Sequence, residues 1–467
     1  MPVVLITDAL IFLLLALGVG FGLYAARHAH LREPWGRVAR SRIGAAALVV
    51  LGFYIVVGLL DSLHFHPRLE EKGPQGEALY SPQVLSVLDL VLTPLRERQE
   101  KTYSAPFATH LFAKETIDLP DGTVVRDYPR LVHGGSHLSD PQGERLPDIL
   151  LTSLRGLIWG LLLWLAGAAL ILWRVARRAG QGFEPTLAAV WRGQTQVPWR
   201  TLLLTLGLLL VLAAITAELS LKYHILGTDK VGEDVFYQAL KSIRTGLVIG
   251  TLTTLIMLPA AILLGIMAGY FGGLADDIIQ YLYTTLNSIP GVLLIAAAIL
   301  MLQIYMANNE EAFASLVHRA DMRLLFLCII LGVTSWTGLC RLLRGEALKL
   351  READYVQAAT SLGVGRFTII GRHILPNVLH IVLITLVLDF SGLVLAEAVL
   401  SYINIGVDPT MNSWGNMINS ARLELAREPV VWWSLAAAFL FMFTLVLFAN
   451  LFADVVRDAF DPRLRGS

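Results

Sequence analysis

Nine stretches of mostly apolar residues, each about as long as a membrane-crossing helix, dominate this chain of 467 residues. Hydrophobic residues make up 55% and charged residues only 16%, which leaves too little charge to cover a soluble protein of this length. The pattern predicts an all-α polytopic membrane protein with about nine transmembrane helices. The nine stretches lie near residues 3–25, 43–61, 150–173, 201–220, 243–270, 276–303, 323–341, 375–401 and 431–453.

Basic residues cluster after the first, third, seventh and ninth stretches, and such clusters favour the cytoplasmic side. They include Arg27, Arg32, Arg37, Arg40, Arg42, Arg174, Arg177, Arg178, Arg192, Arg200, Arg344, Lys349, Arg351, Arg366, Arg372, Arg457, Arg463 and Arg465. We therefore expect the N-terminus outside and the C-terminus in the cytoplasm, with the first stretch retained as a span. The net charge of zero gives no reason to expect nucleic acid as a partner.

The order of the stretches predicts four segments along the chain. Two N-terminal spans (1–61) precede a polar, proline-rich extracytoplasmic insertion (62–149). A third span and a cytoplasmic linker follow (150–199), and the last six spans lie within 200–467.

The cytoplasmic segment 342–377 is the most informative part of the chain. Its composition favours a helix over 343–362, interrupted at Gly363 and Gly365, and then a second short helix to Pro376. Small residues beside the turn leave a surface on which a partner's groove can close. Composition alone also fits a solvated basic loop.

The order Gln357-Ala358-Ala359, Gly363, Leu375-Pro376 resembles the EAA loop of ABC-importer permeases, which docks on the ATPase. Gln357 stands where the family often has Glu, and His373 stands at the usual Ile position. The resemblance implies an ATPase-docking set of Tyr355, Gln357, Ala358, Ala359, Gly363, Ile374, Leu375 and Pro376.

Three further segments resemble the C-type permease of dipeptide, oligopeptide and nickel importers. The first is 227–235, with Glu233 at the usual Arg position. The second is 401–407 together with 413–417, and the third is 461–465. The resemblance covers about 200–467, and it implies that the six spans there form a permease core to which the three N-terminal spans are added. Its extracytoplasmic family residues are Gly227, Thr228, Asp229, Gly232 and Asp234.

The resemblance implies an inner-membrane subunit that performs no covalent chemistry. The chain has no Gly-x-x-x-x-Gly-Lys-[Ser/Thr] phosphate loop, so ATP and Mg²⁺ are expected on separate ATPase subunits. The other implied partners are a second homologous permease, an extracytoplasmic solute-binding protein and membrane lipid. Peptide is the default cargo, with nickel, sugars, opines and peptide antibiotics left open.

Polar residues inside spans are candidates for a translocation path, because intramembrane ionisable groups usually face a cavity or a partner. Asn287 and Ser288 precede Pro290, while Asp389 and Glu397 lie eight residues apart on roughly one helix face. Polar contacts between helices are the alternative.

Histidines of the insertion form two pairs whose spacing is compatible with a transition metal. The weak candidates are His64, His66, His133 and His137. Ordinary surface histidines are the more economical interpretation, so no metal is assigned.

Two functions from other classes remain open at this stage. A channel or secondary transporter would act without an ATPase and would show two matched halves with broken helices. A membrane scaffold would act through its extracytoplasmic loop.

Overall fold

The computed structural model describes residues 1–72, 78–118, 124–313 and 315–460. The helices are α1 (Ile6–Arg27), α2 (Ala29–Arg40), α3 (Arg42–Asp61), α4 (Val87–Val91), α5 (Thr93–Glu97), α6 (Arg145–Ala179), α7 (Phe183–Trp191), α8 (Trp199–Ser220), α9 (Val235–Phe271), α10 (Gly273–Ser288), α11 (Gly291–Asn308), α12 (Leu316–Arg351), α13 (Asp354–Ser361), α14 (Arg366–Ile369), α15 (Leu375–Tyr402), α16 (Trp414–Glu424) and α17 (Trp433–Phe460). The strands are β1 (Pro2–Val3), β2 (His64–Phe65), β3 (Arg68–Lys72), β4 (Ala78–Tyr80), β5 (Leu85–Ser86), β6 (Glu115–Asp118) and β7 (Val124–Asp127).

Within the described residues, nine helical segments are long and apolar enough to cross a membrane, which confirms the predicted all-α membrane fold. The predicted continuous span over 276–303 is wrong. Its helix ends at Ser288, Ile289 is extended, and α11 starts only at Gly291, so the membrane-length segment is Gly291–Asn308. Pro290 causes the break, because proline lacks an N–H and disfavours a helical conformation in the residue before it.

The chain divides into two compact units. The first comprises residues 1–3, 39–245 and 412–448, and the second comprises 4–38, 246–411 and 449 onward. Each unit contains residues from the added N-terminal part and from the predicted core. The four segments proposed from sequence remain a prediction.

The first unit contains every strand that the structure describes, in three small antiparallel sheets. β1, β2 and β5 form the largest, with β2 in the centre, while β3–β4 and β6–β7 are hairpins. Most of these strands belong to the insertion, which is therefore a folded cap with helices α4 and α5.

A tight helix pair, α6 with α8, also belongs to the first unit. A Cβ at Gly156 or Gly160 would lie 2.7 Å from the Cα of Ile215 or Val211, respectively. Such small residues, four apart, let two helix backbones approach closely in a membrane. The third added span is thus packed against the first span of the predicted core.

In the second unit, α1 contacts α12 through a buried carboxylate. The side chain of Asp321 accepts hydrogen bonds from the backbone N–H groups of Ile6, at 3.0 Å, and Thr7, at 3.3 Å. These N–H groups have no partner within the helix, and a carboxylate there also interacts favourably with the helix dipole. The first added span is therefore held by a specific polar contact to a core helix.

Candidate coupling loop and extracytoplasmic face

Segment 342–377 begins as a continuation of α12, which ends at Arg351. α13 follows, and the turn after it is closed by Gly363, whose φ is +77°. The predicted separate second helix is wrong, because α14 passes through a π turn, Ile370–Ile374, directly into α15. The part of the segment from Arg366 onward is therefore continuous with a membrane span.

One face of the segment packs into the bundle. Val356, Ile369 and Ile374 are at most 1% exposed and, with the buried Ala359, belong to one hydrophobic cluster of the second unit. That cluster also includes residues of α9, α10 and α12. Two members of the predicted docking set, Ala359 and Ile374, thus hold the segment in place.

The rest of the segment is largely exposed, and it carries two large apolar side chains. Leu362 is 82% exposed and Phe367 79%, and both flank the turn at Gly363. Gln357 and Ala358 are also exposed. Adjacent large apolar side chains on a surface commonly mark an interaction site. Sequence reasoning did not name Leu362 or Phe367, although their place beside the glycine turn was visible.

The remaining members of the docking set lie where the segment enters α15. Tyr355 is half exposed, and its hydroxyl accepts a hydrogen bond of 3.3 Å from the side-chain amide of Asn377. Leu375 is half-buried and Pro376 is exposed. These residues therefore link α13 to the start of the span.

The translocation candidates occupy different environments. Asn287 and Ser288 are exposed at the end of α10, and Thr337 donates a hydrogen bond of 3.1 Å to the Asn287 side chain. Glu397 is 2% exposed and accepts a hydrogen bond of 2.7 Å from Ser401. Asp389 is half-buried. A role for these residues in the path stays a prediction.

The segment 227–235, predicted to be extracytoplasmic, is a tight turn packed against the insertion. Gly227 and Gly232 have positive φ, and a Cβ at either would lie within 2.3 Å of a backbone oxygen of the insertion. The backbone N–H of Thr228 donates to the carbonyl of Ser104 at 3.0 Å, and the N–H of Ser104 donates to the Thr228 hydroxyl at 2.7 Å. Asp229 accepts hydrogen bonds from two N–H groups within the turn.

A buried ionic triad fastens the insertion to this segment. His224 Nδ1 lies 2.7 Å from Asp234 Oδ2, and its Nε2 lies 3.4 Å from Glu100 Oε1. Glu100 also accepts hydrogen bonds from the three backbone N–H groups of residues 132–134. All three side chains are at most 5% exposed, so the triad is shielded from water.

Both His224 and Glu100 are in their charged forms at neutral pH. Burial would lower the pKa of His224, but the carboxylates of Asp234 and Glu100 outweigh burial and raise it to about 9. Burial would raise the pKa of Glu100, but His224 and the three N–H groups lower it to about 2. An imidazolium therefore lies between two carboxylates at neutral pH.

The insertion also contacts α16 and the start of α17. The Tyr103 hydroxyl donates a hydrogen bond of 3.2 Å to Glu424, and Phe112 packs edge-on against Trp433. The indole N–H of Trp433 donates to the carbonyl of Thr228 at 2.9 Å. The cap thus contacts the turn over 227–235, α16 and the start of α17, whereas the C-terminal match over 461–465 lies outside the described residues.

The histidine candidates are engaged in other contacts. His66 Nδ1 lies 2.8 Å from the carbonyl of Ser81, and His137 Nε2 lies 2.9 Å from Asp148. His64 pairs within the small sheet, and the backbone N–H of His133 binds Glu100. In the part of the chain that the structure describes, no group of three His, Cys, Asp or Glu side chains is placed to hold a metal ion.

Residues 261–466 match the family described as "Binding-protein-dependent transport system inner membrane component". The chain is 32% identical over 244 residues to the glutathione transport system permease protein GsiD of Pectobacterium atrosepticum, covering 52% of this chain and 73% of that protein. It is 31% identical over 243 residues to the oligopeptide transport system permease protein OppC of Haemophilus influenzae (52% and 71%). It is 30% identical over 243 residues to the dipeptide transport system permease protein DppC of Bacillus subtilis (52% and 69%).

Each of these relatives matches about half of this chain, and each is named a permease. The predicted resemblance is confirmed, and the protein is a transport subunit rather than an enzyme. The chain therefore belongs to the binding-protein-dependent transport system inner membrane component family, as a multi-pass, C-type permease subunit of an ABC importer.

Proposed function

We propose that this subunit moves peptides or similar small solutes into the cytoplasm and that segment 342–377 docks on a separate ATPase. The two-sided character of the segment carries the proposal. Val356 and Ala359 anchor it in the bundle, while Leu362 and Phe367 present an apolar surface. A buried anchor and an exposed contact face are what transmission of a partner's movement requires.

Coupling would follow from this packing. ATP and Mg²⁺ are held by the partner subunits, and closure of those subunits pushes on α13. The push passes from α13 through the Gly363 turn to α14, and because α14 continues through the π turn into α15, it then reaches a membrane span along continuous helix. Two arrangements of the bundle then exchange their populations, and solute passes along Asn287, Ser288, Asp389 and Glu397.

The proposed assembly includes a second permease subunit and an extracytoplasmic solute-binding protein. The family's description, which names binding-protein-dependent transport, supports the solute-binding protein. The N-terminus lies outside and the C-terminus in the cytoplasm, as the clustering of arginines supports. Peptide cargo is supported by the names of the relatives, which are glutathione, oligopeptide and dipeptide permeases.

Affinity purification from detergent, followed by mass spectrometry, tests the docking role. We expect a phosphate-loop ATPase and a second permease to co-purify with the wild type. Leu362→Asp and Phe367→Asp together should remove the ATPase while the second permease stays, because charges on the contact face must be desolvated on docking. Both side chains are exposed, so the variant should still fold.

Phe183→Asp is the matched control, because Phe183 is an exposed aromatic residue in the cytoplasmic linker outside this segment. It should retain the ATPase. Equal ATPase recovery from the wild type and the double variant would contradict the docking role. Recovery of the wild type without any ATPase would favour a channel or scaffold.

A further inference from the structure

A groove lies beside the cytoplasmic end of α6, and two arginines line it. Its walls enclose about 520 Å³ and come from α6 and from the start of α8. The lining residues are Ile171, Arg174, Val175, Arg178, Ala179 and Trp199. This volume falls within the range of small-molecule sites, roughly 300–1,000 Å³.

We propose that this groove binds an anionic phospholipid, with the lipid phosphate between Arg174 and Arg178. These arginines are four residues apart, so they lie one above the other on one helix face. Guanidinium groups match phosphate geometry and are weakly hydrated, which favours them for phosphate recognition.

The charge of the groove supports an anionic occupant. None of its lining residues is acidic, and in the described part of the chain neither Arg174 nor Arg178 forms an ion pair. Arg177, in the same helical turn, behaves differently: its guanidinium lies 3.9 Å from the ring centre of Trp173 and does not line the groove. The two groove arginines are exposed and available to a ligand.

The apolar wall favours a lipid over a free anion. Ile171 and Trp199 are half-buried and pack against the buried Leu172 and Leu203, which continue along α6 and α8 into the membrane. A tryptophan beside arginines at the end of a span is typical of the membrane interface. Basic pockets between spans on the cytoplasmic side bind phospholipid headgroups. Acyl chains would therefore run along α6 while the phosphate stays at the arginines.

Native mass spectrometry of the full-length protein tests the proposal. The protein is released from detergent after titration with phosphatidylglycerol, cardiolipin or phosphatidylcholine of equal chain length. We expect the two anionic lipids to bind preferentially to the wild type. Arg174→Ala with Arg178→Ala should weaken that binding about 10- to 30-fold, because each arginine near a membrane surface contributes about fivefold.

Arg177→Ala is the matched control and should bind the anionic lipids like the wild type. Inorganic phosphate, added in millimolar excess, should neither displace the lipid nor raise the midpoint of thermal unfolding. Equal binding of all three lipids by the wild type would overturn the proposal, even if the double variant failed to fold. Unchanged binding by the double variant, or displacement by inorganic phosphate, would overturn it as well.

Discussion

At the scale of single residues, two glycines with nearly the same backbone conformation have different roles. Gly232 and Gly363 have φ values of +80° and +77°. A Cβ at Gly232 would lie 1.8 Å from the carbonyl oxygen of Glu100, whereas a Cβ at Gly363 would meet nothing within 4 Å. Gly232 is therefore required by both conformation and space, and Gly363 by conformation alone.

Substituting the two glycines should separate these effects. Gly363→Ala should destabilise the protein by about 1–2 kcal/mol, the cost of a left-handed conformation for an L-residue. Gly232→Ala should cost about 2–5 kcal/mol, because overpacking adds to the conformational term. The midpoints of thermal unfolding in detergent measure both, and equal shifts would show that the contact with Glu100 relaxes easily.

The ion pairs of His224 give a second prediction at the scale of residues. The pKa of His224 is raised from 6.5 to about 9, so the stabilisation from these ion pairs is fully present below pH 6.5 and is lost as pH rises through 9. A shift of this size corresponds to about 3 kcal/mol. The midpoint temperature of thermal unfolding of the wild type should therefore decrease as the pH is raised from 7 to 10.

His224→Gln is the control for that titration, because glutamine keeps hydrogen-bonding capacity without a titratable charge. The variant should unfold at a lower temperature at pH 7 and should lose most of the alkaline decline. An identical decline in the variant would assign it to other groups.

At the scale of elements, the α6–α8 pair depends on close backbone approach. Gly156→Leu and Gly160→Leu should each lower stability by about 1–3 kcal/mol through overpacking. Gly167→Leu on the same helix is the control, because a Cβ there would meet nothing within 4 Å. Thermal unfolding and limited proteolysis of residues 180–200 measure the effect, and equal behaviour of all three variants would contradict the packing role.

At the scale of the whole molecule, the insertion packs over the turn 227–235, which resembles a segment of C-type permeases. Thr228 is fully buried beneath it, whereas Glu233 in the same turn is exposed. In spheroplasts, a membrane-impermeant maleimide should label Glu233→Cys but not Thr228→Cys. Phe183→Cys should stay unlabelled, because the linker is expected in the cytoplasm.

The labelling experiment has two informative failures. Labelling of Phe183→Cys without Glu233→Cys would reverse the predicted orientation. Labelling of Thr228→Cys as fast as Glu233→Cys would mean that the insertion does not cover the family segment in the membrane.

Local patterns in the sequence are enough to predict the features that depend on neighbouring residues. Nine apolar runs predict nine spans because a bilayer requires about 20 apolar residues in a row. Gly363 marks a turn because of its conformational freedom. Pro290 is an exception: the apolar run over 276–303 predicts one continuous span, whereas α10 ends at Ser288 and α11 starts at Gly291.

Contacts between residues that are distant in the sequence are visible only in the folded structure. Glu100 and His224 are separated by more than a hundred positions and carry no local pattern, so no spacing in the sequence pairs them. The same holds for Asp321 of α12, which binds the first N–H groups of α1. It holds as well for the division of segment 342–377 into a buried face and an exposed face. Spans and turns follow from local chemistry, whereas buried charge pairs and packed faces exist only once the chain has brought remote groups out of water together.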